Sequence, residues 1–158
     1  MTDEEIKEQC NAVITEAMSW VAPKKTAYHH GSAMKGVGVS CSTFIASVFN
    51  AAIDTHLTVV DHVEQWYLNA KEQLYLDNLK VQGFVEIERS EVRACDLVVS
   101  NTIYEIYCHS GIIQSWPTPA PVIHVTRNGA ERVKSLWSSW YFAQKPNTNK
   151  FFRWGGWM

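Results

Sequence analysis

Gly36-Val37-Gly38-Val39-Ser40-Cys41-Ser42-Thr43-Phe44 is the stretch on which the fold turns. Glycines at 31, 36 and 38 open backbone conformations closed to other residues, so the segment reads as a loop. After Cys41 the apolar residues Phe44, Ile45, Val48, Phe49 and Ala52 recur at helical spacing, which predicts a helix from Cys41 to about Ile53. The loop therefore delivers one cysteine to the first turn of an apolar helix. A thiol there lies in the positive end of the helix dipole, which favours the nucleophilic thiolate. Free cysteines also serve as small buried apolar residues, and this stretch alone leaves both readings open.

Working outward, Thr2 and Glu5 form a capping-box pattern ahead of Ile6, Cys10, Val13, Ala17 and Val21, one stripe of an amphipathic helix that ends before Pro23. Downstream, a helical stretch is predicted from about Val63 to Leu79, with Trp66, Ala70 and Leu74 on its apolar side and Gly83 as its stop. Beyond Gly83 the pattern becomes strand-like. Leu97-Val98-Val99, Ser110-Gly111-Ile112-Ile113 and Val122-Ile123-His124-Val125-Thr126 are short β-rich runs. Asn128-Gly129 favours a tight hairpin turn, and Glu131 to Leu136 alternates as its returning strand. The tail Lys150-Phe151-Phe152-Arg153-Trp154 can close the sheet. Helices first and an antiparallel sheet second give an α+β fold, read as a single domain over residues 1–158.

A net charge of −2 points to neither nucleic acid nor an anionic membrane surface as a partner. No apolar run approaches the roughly 18 residues a membrane helix requires. Met1-Thr2-Asp3-Glu4-Glu5 is acidic and lacks the features of a secretory leader, so synthesis in a reducing cytosol is expected. Cys10, Cys41, Cys95 and Cys108 are accordingly read as thiols, and without CxxC spacing they suggest no structural zinc. No cofactor is predicted.

A nucleophilic cysteine requires a base and a third group that holds the base in the right tautomer. His56 and His62 fall in a polar connection and read as surface residues. His109 opens one predicted strand and His124 lies inside the next, so adjacent antiparallel strands can set them within cross-strand reach. The expected line is Cys41, His109, His124, with a satisfied core histidine as the other reading of His124. A metal site built from His29, His30, His109 and His124 is disfavoured, because no carboxylate falls at helpful spacing.

The order Tyr28, Gly36-Val37-Gly38-Val39-Ser40-Cys41-Ser42, Ala94-Cys95-Asp96-Leu97, His109-Ser110-Gly111-Ile112-Ile113-Gln114-Ser115-Trp116-Pro117 and Val122-Ile123-His124 resembles the NlpC/P60 cysteine peptidases. The likeness is to their phage-encoded branch of cell-wall peptidases and tail-associated proteins. Gln65-Trp66-Tyr67-Leu68 and Phe152-Arg153-Trp154 are similar too, so the resemblance runs through nearly the whole chain.

The resemblance implies a papain-like fold in which Cys41 is the nucleophile, His109 the base and His124 the third polar residue. Tyr28 takes the place of the tyrosine that lines the site and helps the oxyanion region, and Ser40 and Ser42 flank the nucleophile on the substrate side. The implied substrate is a peptidoglycan stem peptide cut at its D-glutamyl–diaminopimelate bond, and phage tail-tip proteins are the implied partners. The same resemblance is compatible with a tail-tip assembly protein or an antibacterial amidase effector. Two positions depart from the family pattern: Ser40 stands where aspartate is usual, and Cys95 where glycine is usual. Asp96 is expected to support the turn that follows, and Cys95 and Cys108 to be bystander thiols.

Overall fold

Thr2 and Glu5 start the first helix as their spacing predicts. In the computed structural model, which describes residues 1–59, 73–103 and 105–158, the Thr2 hydroxyl accepts the Glu5 N–H at 3.2 Å and the Glu5 carboxylate accepts the Thr2 N–H at 2.7 Å. Helix α1 runs Asp3–Ser19 and buries Val13 and Ala17. A two-residue hairpin, β1 (Ala33–Met34) with β2 (Gly38–Val39), lies inside the predicted loop. Gly31 and Gly36 take left-handed backbone, at φ 79° and 77°. Gly38 is glycine for a different reason: a Cβ there would stand 2.5 Å from that of His29.

Helix α2 spans Cys41–Ile53, as its periodicity predicts. Ser40 caps it, accepting the Thr43 N–H, while the Thr43 hydroxyl returns a bond from the Ser40 N–H. Cys41, Phe44, Ile45, Val48 and Phe49 are buried, and Asp54 ends the helix in a left-handed turn. Helix α3 is Leu74–Val81, running past the expected end at Leu79, and Gly83 follows with φ 103°. His62, the Gln65-Trp66-Tyr67-Leu68 motif and the predicted helical turns from Val63 to Glu72 lie outside the described residues. His56 is exposed, as its polar surroundings suggest.

Strands β3 (Phe84–Ile87), β4 (Leu97–Ser100), β5 (His109–Ile113), β6 (Val122–Thr126), β7 (Gly129–Val133) and β8 (Lys150–Trp154) form one antiparallel sheet in the order β3-β8-β4-β5-β6-β7. With the described helices, including the single turn α4 (Trp140–Ala143), the fold is α+β. Every residue of β4, β5 and β6 is buried. Apolar residues cover both faces: α1, α2 and α3 pack on one, with Phe44, Val48 and Leu97, while Val98, Ile113, Leu136 and Phe142 form a second core on the other. That is why these strands read as continuous apolar runs rather than alternating ones.

Two expectations change here. The returning strand is shorter than predicted, stopping at Val133, with Leu136 in a separate helical turn. The β6–β7 turn places positive φ on Gly129 and not on Asn128, so it is not the mirror-image turn that Asn-Gly favours.

Asp96 holds the sheet together from beneath. It is wholly buried and accepts two bonds from Arg153, Nε to Oδ1 at 2.8 Å and Nη2 to Oδ2 at 2.7 Å, besides the Arg93 N–H at 2.8 Å. The expected turn support is present, together with an anchor to β8. Preceding it, Cys95 has φ 76°, the left-handed region in which glycine costs nothing. The glycine usual at this place in the resembling family thus has a backbone reason, and Cys95 bears strain of about 1–2 kcal/mol.

Candidate active site

The N-terminus of α2 meets the start of β5 and the end of β6. There a cavity of about 360 Å³ is lined by Tyr28, His30, Cys41, Cys108, His109 and Tyr141, with Ile103 and residues 125–127 completing it. Cys41 is the first residue of α2, 9% exposed, and its thiol lies 3.7 Å from the Cys108 carbonyl. His109 and His124 join through a hydrogen bond of 2.8 Å between His109 Nε2 and His124 Nδ1. With Nε2 committed there, Nδ1 is the ring nitrogen of His109 that can serve Cys41. Cys41 and His109 thus line one cavity, and His124 joins His109 by a hydrogen bond without lining it.

Register explains how the rings meet. Gly111, not His109, stands directly opposite His124, so the two histidines share a face as diagonal neighbours. Gly111 leaves the room they use. A Cβ at 111 would stand 2.4 Å from Val122 Cγ1 and 3.2 Å from His124 Cβ, which would drive β6 away.

His124 is wholly buried, and burial lowers its pKa to about 4. The imidazole is therefore neutral near pH 7. Glu131 Oε1 lies 3.2 Å from His124 Nε2, yet Nε2 is without an aligned hydrogen bond, and desolvation outweighs the carboxylate's pull. A base with a depressed folded pKa stabilises the fold fully above its unfolded value and loses that stability as pH falls through the folded one. Unfolding by urea is thus expected to become easier between the ordinary histidine pKa of about 6.5 and the folded value of about 4. The loss reaches about 3 kcal/mol, and a His124→Gln variant should show a flatter profile across that window.

Tyr28 is held beside Val39 by backbone bonds on both sides, His29 N–H to Val39 O and Val39 N–H to Ala27 O, each 3.0 Å. It lines the cavity from a position twelve residues upstream of the helix cap, 40 less 28. Ser40 and Ser42 do not join it as substrate-side residues. Ser40 is wholly buried and spends its hydroxyl on Thr43 and Ser42, and Ser42 faces a small separate cavity beside Leu57 and Tyr75. The helix cap claims the position next to the nucleophile, which corrects the expectation that these serines meet substrate.

Three residues of the site were not anticipated. Tyr141 stacks on His109, ring centroids 4.4 Å apart at 29°, and lines the cavity. It lies in a four-residue helix too short for any periodicity to betray. Arg127 lines the cavity from the β6–β7 turn. Glu131 stands directly opposite His124 in the register, whereas a turn at Asn128-Gly129 would have set Val133 there. Cys108 also lines the cavity, but burial pushes its pKa to about 11, so it is protonated at neutral pH. Burial likewise raises the pKa of Cys95, whereas hydrogen bonding from Cys95 lowers that of Cys10.

Among the described residues no group of three or more His, Cys, Asp or Glu gathers as a metal site, and no helix is long and apolar enough to cross a membrane. No protein-family model and no curated protein matches the chain.

Proposed function

We propose that this protein is a cysteine peptidase of the NlpC/P60 type, with a papain-like fold, that cuts peptidoglycan stem peptides and is phage or prophage encoded. The observation that carries the reading is the 2.8 Å His109–His124 hydrogen bond behind a cavity that His109 shares with Cys41, the first residue of α2. Family and bond preference rest on the residue resemblance described above. In the reaction, His109 takes the Cys41 proton and the thiolate attacks the scissile carbonyl. The Cys41 N–H at the helix end and the Tyr28 hydroxyl donate to the oxyanion. The imidazolium of His109 then gives its proton to the leaving amine, forming a thioester. Water, deprotonated by His109, hydrolyses the thioester, releasing a carboxylate and the thiol.

The reading is tested by incubating the protein with defined muropeptides and weighing the products, with a new D-glutamyl terminus expected. Iodoacetamide at a pH of about 6 should modify Cys41 ahead of Cys95 and Cys108, whose thiols burial holds protonated. Intact muropeptides together with an unmodified Cys41 would leave a tail-assembly module as the reading instead.

A further inference from the structure

We propose that Glu131 is a positioning residue that fixes the tautomers of His124 and His109, so that His109 turns a lone pair rather than an N–H toward Cys41. The inference rests on the reading of Cys41 and His109 as nucleophile and base. Two neutral assignments satisfy the hydrogen bond between His109 Nε2 and His124 Nδ1. If His124 carries its proton on Nδ1, its buried, unprotonated Nε2 lies 3.2 Å from an oxygen of the part-exposed Glu131 carboxylate. Two acceptors then repel at close range, and no water-exposed surface of His124 screens them. If the proton is on Nε2, its positive N–H end lies 3.2 Å from the Glu131 carboxylate oxygen, an attraction by proximity rather than an aligned hydrogen bond, and Nδ1 accepts from His109 Nε2–H. The His109 lone pair is then on Nδ1, where a base for Cys41 requires it.

The placement of Glu131 is built rather than incidental. It pairs directly with His124 across β6 and β7, and its other oxygen lies 4.0 Å from Lys25 Nζ. Next to Lys25, the Thr26 carbonyl accepts the Ala130 N–H at 2.8 Å. The segment that carries Tyr28 is thereby stitched to the strand that carries Glu131. Lys25, His124 and the Tyr141 hydroxyl are the titratable groups that face Glu131, with Arg127 nearby. Burial, and then the Glu131 charge, raise the pKa of Tyr141, so its hydroxyl stays protonated at neutral pH.

The test is histidine ¹⁵N NMR near neutral pH, reading the two-bond couplings that separate the tautomers, together with the rate of Cys41 alkylation against pH. Wild-type protein should show Nε2–H on both His124 and His109. Glu131→Gln should keep both tautomers by accepting through its amide oxygen, with alkylation within about twofold of wild type. Glu131→Leu should mix the tautomers and slow alkylation about tenfold. A Nδ1–H His124 in the wild-type protein overturns the proposal, and that measurement needs no variant to fold. Unchanged tautomers and rates in Glu131→Leu overturn it equally. The expected tautomers in a protein that cuts no muropeptide would uphold the assignment and count against the peptidase reading alone.

Discussion

Cys41→Ala is expected to abolish release of cleaved stem peptide, lowering the rate by about 10⁴–10⁶-fold while the fold survives. The size follows from the division of labour at the site. Without the sulfur no acyl-enzyme forms, and the His109–His124 pair has nothing to activate. His109→Ala should cost about as much as Cys41→Ala, and the double variant little more than either, because residues acting as one unit do not add. Stability should barely move, since exchanging one thiol for a methyl at the head of α2 costs on the order of 1 kcal/mol. Product mass analysis and thermal melting of the same samples read both halves. Cleavage that persists in Cys41→Ala would remove the nucleophile from the scheme, and the protonated Cys108 beside it could not take its place.

Substrate preference follows from what the helix cap has claimed. An aspartate before the nucleophile could reach a stem-peptide amine with a charge-assisted bond worth about 1.5–3 kcal/mol. Ser40 instead turns inward to Thr43 and Ser42. Charge at this cavity comes from another quarter, the β6–β7 turn, where Arg127 stands at the wall. Beside Cys41 and His109, the polar side chains lining the cavity include Tyr28, His30, Arg127 and Tyr141, and among the described lining residues there is no carboxylate.

How far the sequence discloses this site depends on how local each determinant is. The capping pair Thr2 and Glu5 and the apolar spacing after Cys41 act within four residues, and both helices start where those residues place them. The histidine pair is legible because each residue sits in an apolar run that can only be strand. Strand order is a different matter. β8 lies between β3 and β4 rather than closing an edge, and β3 itself, with Val85 and Glu86 exposed and its ends buried, offers no alternation to read. Ser40 shows the competition directly: the residue beside the nucleophile is the natural substrate contact, but a helix start needs its hydroxyl more. Tyr141 reaches His109 from 32 positions away in sequence numbering, 141 less 109, through a contact no pattern encodes.

Arg153→Met is the substitution expected to damage the fold most, by about 3–5 kcal/mol. Asp96 is wholly buried, and burial pushes its carboxyl above the usual range despite the opposing bonds from Arg153 and Arg93. The same contact raises the pKa of Arg153, which holds the guanidinium charged against the carboxylate. Removing the guanidinium strands a charge in the interior and also releases the Glu91 carbonyl that Arg153 holds. A carboxyl whose folded pKa is raised favours the folded state at low pH and opposes it as pH rises through that value. The gap between Arg153→Met and wild type, read from urea unfolding at matched pH, should therefore narrow on acidification, since protonating Asp96 removes the stranded charge. Replacing both partners, Asp96→Leu with Arg153→Met, should recover much of the loss, because an apolar pair of similar volume leaves no charge uncompensated. A single variant as stable as wild type would mean that the pair contributes nothing to holding β8 against the turn that leads into β4.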